Sequence, residues 1–417
     1  MIRRYLIWQH RWAGLLMTVF LVIVGITGSI LAYRDDVDRL LNPQLFATPV
    51  PGARALDLAT LAERAEAIAP QARVWYMYVN SEQASIRCVP RTNPATGKPY
   101  EIGFDHLILN PWTGEELGRM SEYSISHVDR VNFTSFIYDL HTSMTLGSFG
   151  WSMVGYVALV WTIDCFVGFY LTLPVGLGKF LKRWKYAWWV KWRASAMRVN
   201  FDLHRASGLW LWPLLFVFAW SGVMFNMHSL YERVTQAAFD YQSIDAFIAS
   251  IPAHPHDNPK LDWRAALARA EQLMAQQAAT HRFTVERPAG LAFIAESGVY
   301  SYTVQSSRDF RHGGPDTGVF LDGDTGEFRA LSLPSGEHTG NTISNLLWAL
   351  HYGDIYGLRS YRFLVCITGL LIAMLSGTGV YIWWKKFKTR RLIAAIRRRA
   401  AAGQLSKNIA GVAAGGD

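Results

Sequence analysis

Four stretches of this chain stay apolar for about twenty residues, at roughly 12–33, 151–173, 207–227 and 362–384. A bilayer's hydrocarbon layer takes about 20 residues of helix, so each stretch predicts a transmembrane span. The first is too long, and too poor in small residues at a cleavage position, for a typical signal peptide; it reads as an uncleaved anchor. The pattern changes period between the spans. LDLATLAERAEAIAP (56–70) and DWRAALARAEQLMAQQ (262–277) have helical periodicity. Strand-like ARVWYMYVN and ASIRCVPR follow the first, then FDHLILNPWTGEELG (104–118). RFTVERP, LAFIAES and YSYTVQSS follow the second, then TGVFLDGDTGEFRAL (317–331). Thr113-Gly114-Glu115 and Thr325-Gly326-Glu327 are glycine-bearing turns that close hairpins.

These elements fall into two similar halves, each a helix, a small α+β domain and a second helix. The predicted fold is a membrane protein with four transmembrane α-helices arising from internal duplication, related by a pseudo-two-fold along the membrane normal. The duplication includes histidines. HRWAGLLMTVFLVIVGITGSI (10–30) and HRASGLWLWPLLFVFAWSGVM (204–224) align at an offset of 194, matching His10/His204, Arg11/Arg205, Gly14/Gly208 and Gly28/Gly222. LHTSMTLGSFG (140–150) and LHYGDIYGLRS (350–360) align at 210, matching His141/His351 and Gly147/Gly357. Imidazoles duplicated at equal depth suggest two sites that each take two nitrogen ligands, the arrangement of a bis-histidine haem.

Charge sets the expected orientation. Segments 1–11, 174–206 and 385–417 hold 20 of the 41 Lys and Arg residues. By the positive-inside rule both termini and the middle loop are cytoplasmic and the two long loops periplasmic. The expected layout is a span at 12–33, a first outer domain at 34–149 and a span at 151–173. A basic, tryptophan-rich interfacial loop follows at 174–206, then a span at 207–227 and a second outer domain at 228–361. A span at 362–384 and a basic tail at 385–417 complete it. The net charge of +9 then reflects contact with the lipid bilayer, and no nucleic-acid partner is expected. Of three cysteines, Cys88 falls in the first outer domain and Cys165 and Cys366 in spans, with no CxxC pattern. Any haem is therefore non-covalent, and cysteine-ligated iron–sulfur clusters are excluded. No Ser-His-Asp, HExxH or Walker pattern supports a hydrolase.

The HRWAGL and HRASGL openings, the two Leu-His segments before the even spans and the paired TGE-type turns resemble the PepSY-associated transmembrane family. That family includes inner-membrane siderophore reductases of the ferrioxamine type, and the resemblance covers roughly 1–390. It implies four membrane helices, two periplasmic PepSY-type domains and, in the reductase members, haem. The expected function is an oxidoreductase with two b-type haems. It would pass electrons from a flavin, reductase or quinol donor on the cytoplasmic side to a periplasmic ferric siderophore. Hydroxamate and catecholate oxygens hold hard Fe(III) far more tightly than Fe(II), so one electron releases the metal.

His10 and His204 are the inner ligand candidates, with Gly14 and Gly208 leaving room for a flat macrocycle and Gly28 and Gly222 allowing close helix contact. His141 and His351 are the outer candidates. His228, whose repeat counterpart is Arg34, competes for the outer site, and His127 is a further alternative. Arg11, Arg205, Arg34 and Arg359 sit at depths suited to haem propionates. Asp164, in the second span with no counterpart in the fourth, holds a haem edge, couples a proton, or is structural. His106, His254, His256, His281, His312 and His338 read as surface residues. No catalytic residue is assigned. Two other functions stay open: a non-enzymatic PepSY protein that binds or inhibits a peptidase or acts as a regulator, and a transporter with parallel repeats.

Overall fold

A computed structural model describes residues 1–121, 128–176, 178–243, 247 and 255–413, with side chains through Arg398. The chain divides into two compact units, one comprising Met1–Gly25, Leu159–Ala219 and Leu370–Asp417, the other Ile26–Ala158 and Trp220–Gly369. Helices α1 (Ile2–Leu31), α5 (Gly147–Thr172) and α12 (Arg359–Ala413) each contain a stretch long and apolar enough to cross a membrane. Their outward faces are bare of partners in the way a lipid-facing surface is. Leu16 and Val19 on α1 are 70% and 64% exposed, and Ile163 on α5 is 55% exposed.

The third apolar stretch differs from the single span expected at 207–227. It is part of two helices, α7 (Ala196–Trp210) and α8 (Trp212–Asn226), bent by 68° at Leu211. Pro213 causes the break: it lacks an N–H, and its ring collides with the carbonyl four residues back. The Trp212 indole then donates to the Cys165 carbonyl at 2.9 Å. Helix α7 also starts inside the segment read as a loop at 174–206, where the Ser195 hydroxyl accepts from the Arg198 N–H. His204 consequently lies within a helix. The rest of that segment holds α6 (Phe180–Trp184) and a 3-10 turn, Lys185–Trp188. The run Trp188-Trp189-Val190 is of poor helix formers, and Trp189 is extended. The fourth span and the basic tail, expected as separate pieces, form the single helix α12.

In the second unit, β1 (Ala72–Val79), β2 (Ala84–Pro90), β3 (His106–Leu109) and β4 (Glu116–Met120) form an antiparallel meander, and β5 (Val285–Ile294), β6 (Val299–Ser306), β7 (Thr317–Asp322) and β8 (Phe328–Ser332) form another in the same order. Helices α3 (Leu58–Ile68) and α10 (Trp263–His281) precede the sheets. Asp57 and Asp262 cap them, each accepting a backbone N–H at 2.8 Å. Their apolar faces, including Leu61 and Ala65 on α3 and Ala270 and Leu273 on α10, join one core with Met77, Ile86, Leu107, Leu291, Val304 and Leu321. RFTVERP and LAFIAES, read as two strands, are one strand, β5. Pro288, Ala289 and Gly290 form a bulge within it, which is where an edge strand tolerates proline. Gly290 is required there: a Cβ would collide with the Met77 carbonyl oxygen of β1, so its absence lets the two sheet edges meet.

Among the described residues this unit also holds α2 (Arg34–Leu41), α4 (Phe133–Ser143), α9 (His228–Ala238) and α11 (Thr339–Tyr352). Helices α4 and α11 carry His141 and His351 in their last turns, and each ends on a left-handed residue, Met144 at φ 54° and Gly353 at φ 70°.

Candidate functional site: two histidine pairs

In the first unit the rings of His10 on α1 and His204 on α7 lie with centroids 6.2 Å apart and planes at 62°. Each ring is fixed through Nδ1. His10 Nδ1–H donates to the Asp164 carboxylate, at 2.9 Å from Oδ2 and 3.0 Å from Oδ1. The Gln9 amide donates to the same carboxylate at 3.4 Å. His204 Nδ1–H donates to the Leu375 carbonyl at 3.1 Å and lies 3.0 Å from the Thr378 hydroxyl oxygen. That hydroxyl itself donates to Leu375 at 2.8 Å. A carboxylate and a carbonyl only accept, so both rings carry their proton on Nδ1 and present the lone pair on Nε2, the tautomer a metal ligand needs.

Glycines seat both rings. A Cβ at Gly168 on α5 would lie 3.5 Å from His10 Cε1, and one at Gly379 on α12 would lie 3.3 Å from His204 Cε1. Asp164/Leu375 and Gly168/Gly379 share one offset, so the counterpart of the Asp164 carboxylate is the backbone carbonyl of Leu375.

In the second unit the rings of His141 and His351 lie 6.1 Å apart with planes at 76°. Their Nδ1 atoms meet hydroxyls, Thr27 at 2.9 Å and Ser221 at 2.6 Å. Thr27 and Ser221 also stand 194 residues apart, each immediately before a matched glycine. A Cβ at Gly28 would press His141 Cε1 at 3.1 Å, whereas one at Gly222 would meet Ala158 at 3.0 Å. Only the second of these matched glycines makes the helix–helix contact expected of both. Phe225 packs edge-on against His351 at 5.2 Å. Burial, with the neighbouring His141 adding to it, pushes the His351 imidazole down to about 3. The ring is therefore neutral at ordinary pH and keeps its lone pair.

Both pairs pass the test of fit to haem. Metal–nitrogen bonds of about 2 Å on opposite sides of one ion place the two imidazole centres roughly 6 Å apart. Among the described residues no three His, Cys, Asp or Glu side chains gather around a common point.

The remaining candidates are placed elsewhere. His228 pairs with Glu232 at 3.2 Å rather than with a second imidazole. A Cβ at Gly14 would meet no protein atom within 4 Å, and one at Gly208 would meet Leu375 at 3.8 Å. Arg205 donates from one Nη to the Tyr186 carbonyl and to buried Asp202, at 2.7 and 2.9 Å. Arg11 is partly buried on α1. Arg34 lies over the Tyr138 ring at 5.8 Å and near Asp38, and Arg359 is exposed at the start of α12. His256, His281 and His338 pair with Asp324, Glu337 and Asp240. His127 and His254 lie outside the described residues.

Sequence reasoning missed Thr27, Ser221, Gly168, Thr378 and Gly379. A signal existed for the first two, a hydroxyl residue directly before each glycine already aligned.

Two imidazole pairs, with rings anchored through Nδ1 among apolar helices, define a membrane protein with two candidate bis-histidine centres. The sequence profile described as the PepSY-associated TM region matches residues 7–386, all four histidines included, and the chain belongs to that family. It is a multi-pass membrane protein. Comparison with curated proteins finds none that matches the chain.

Proposed function

We propose that the protein is an inner-membrane oxidoreductase that holds two b-type haems, one at His10/His204 and one at His141/His351, and reduces a periplasmic ferric siderophore. The observation that supports this reading is the pairing itself: four imidazoles, two and two, at 6.2 and 6.1 Å. A structural histidine has no reason to repeat that separation. When bound, each haem supplies a one-electron iron couple with no open coordination position, which suits electron transfer over oxygen activation.

The protein's own residues hold the ligands. Asp164, Leu375 and Thr378 orient the inner rings; Thr27 and Ser221 orient the outer ones. Burial keeps His351 neutral. The two sheets of identical order, with capped helices and matching turns, support the reading of a duplicated PepSY-type outer domain. With both termini cytoplasmic, as the basic segments favour, the outer domains are periplasmic and electrons enter from a cytoplasmic or membrane donor.

Purified protein should show a Soret band and a dithionite-induced α-band, with about two haems per chain. Substituting alanine at His10 or at His351 should each remove one. Absence of any Soret band sinks the haem reading. Protein reduced and held without oxygen should be reoxidised by ferric hydroxamates or catecholates; haem without reoxidation across such a panel removes the siderophore assignment alone.

A further inference from the structure

Resting on the haem reading above, we infer that Asp164 is a positioning residue that makes the His10/His204 centre the more reducing of the two, and so gives electron flow its direction. Four histidines occupy two pairs, yet their Nδ1 partners are not equivalent. Among the described residues and their hydrogen bonds through Nδ1, His10 is the one that faces a carboxylate, through both oxygens at 2.9 and 3.0 Å. His204 faces a carbonyl and a hydroxyl. His141 and His351 face the hydroxyls of Thr27 and Ser221. The Asp164 side chain is 8% exposed, so solvent screens the contact little. The repeat offers no second carboxylate: at the offset of 211 that matches Gly168 with Gly379, the place of Asp164 is held by Leu375.

A carboxylate that accepts Nδ1–H draws that proton toward itself and raises the electron density at Nε2. A more basic imidazole favours Fe(III) over Fe(II), so the centre gives up its electron more readily. The Nδ1 proton stays between ring and carboxylate; one electron enters the centre and one leaves it. A hydroxyl or carbonyl exerts a weaker pull. The centre containing His10 should therefore have the lower midpoint, and an electron passing to the His141/His351 centre moves downhill.

The test is a spectroelectrochemical titration of the full-length holoprotein at fixed pH, with EPR of its low-spin ferric signals. Wild type should titrate as two one-electron components. Asp164→Asn should raise the lower midpoint by at least a tenfold change in its reduction equilibrium, about 59 mV for one electron, and shift one EPR signal. The other component should not move. Thr378→Asp, which places a carboxylate near the second inner ligand, should lower the same component; it carries the test if Asp164→Asn fails to retain haem. Unmoved midpoints in a variant that keeps both haems overturn the inference and leave the haem reading intact. A protein without haem fails at the earlier step.

Discussion

At the scale of single residues, the sites are controlled by atoms that touch the rings at Nδ1 and Cε1. Gly28 illustrates this, since a Cβ added there would lie 3.1 Å from His141 Cε1. Gly28→Ala should displace that ring and lower haem content from about two to about one, as read by pyridine haemochrome. His351 adds a pH dependence. Its folded value lies near 3 against an ordinary 6.5, so between those values the unfolded ring binds a proton that the folded ring refuses. Stability from this residue is complete above about 6.5 and is lost as pH falls toward 3. Haem-free protein in detergent should lose denaturant resistance between pH 7 and 5, and His351→Gln should flatten that slope. Equal slopes in the two proteins would place the acid sensitivity elsewhere.

At the scale of elements, two features shape the molecule beyond what apolar periodicity foretells. Pro213 turns one expected span into α7 and α8, and the bulge at Pro288–Gly290 joins two expected strands into β5. Both are local backbone effects, yet their outcome was not legible. A proline marks a break or a bulge, and only the surrounding contacts select the geometry. Gly290 makes the second case testable. Gly290→Val places a side chain against the Met77 carbonyl of the neighbouring sheet, and overpacking of this kind costs about 1–3 kcal/mol. A lower unfolding midpoint for the sheet-bearing unit is expected, with haem content at His10/His204 unaffected. An unchanged midpoint would show that the sheet edges do not depend on this close approach.

At the scale of the whole molecule, membership of the PepSY-associated family and the apolar helices make the chain a multi-pass membrane protein, while sidedness rests on the basic segments. Thiol labelling decides it. Cys88 is buried with its thiol pushed up to about 12 by burial, Cys165 is buried too, and half-buried Cys366 on α12 is replaced by serine to keep background reaction low. A cysteine at Thr96, in the exposed turn after Asn93, should react with an impermeant maleimide added to intact cells. One at Lys191 should react only after permeabilisation. The reverse pattern would invert the proposed orientation.

The sequence by itself determined that four stretches are apolar enough to span a membrane, that four histidines repeat with their glycines, and that each outer segment is a helix followed by a hairpin-rich sheet. Those properties are local or periodic, and periodicity survives in a linear string. Only the tertiary structure decided which groups the rings meet. Asp164 lies 154 residues from His10 and Ser221 lies 130 from His351, and no spacing rule connects residues so far apart. It also decided between rivals, seating His351 opposite His141 and leaving His228 to Glu232. The asymmetry at Asp164 was visible as a lone charge in an apolar span. That the carboxylate accepts a hydrogen bond from His10 follows from the packing of α5 against α1, because a hydrogen bond is set by distance in space and not by separation along the chain.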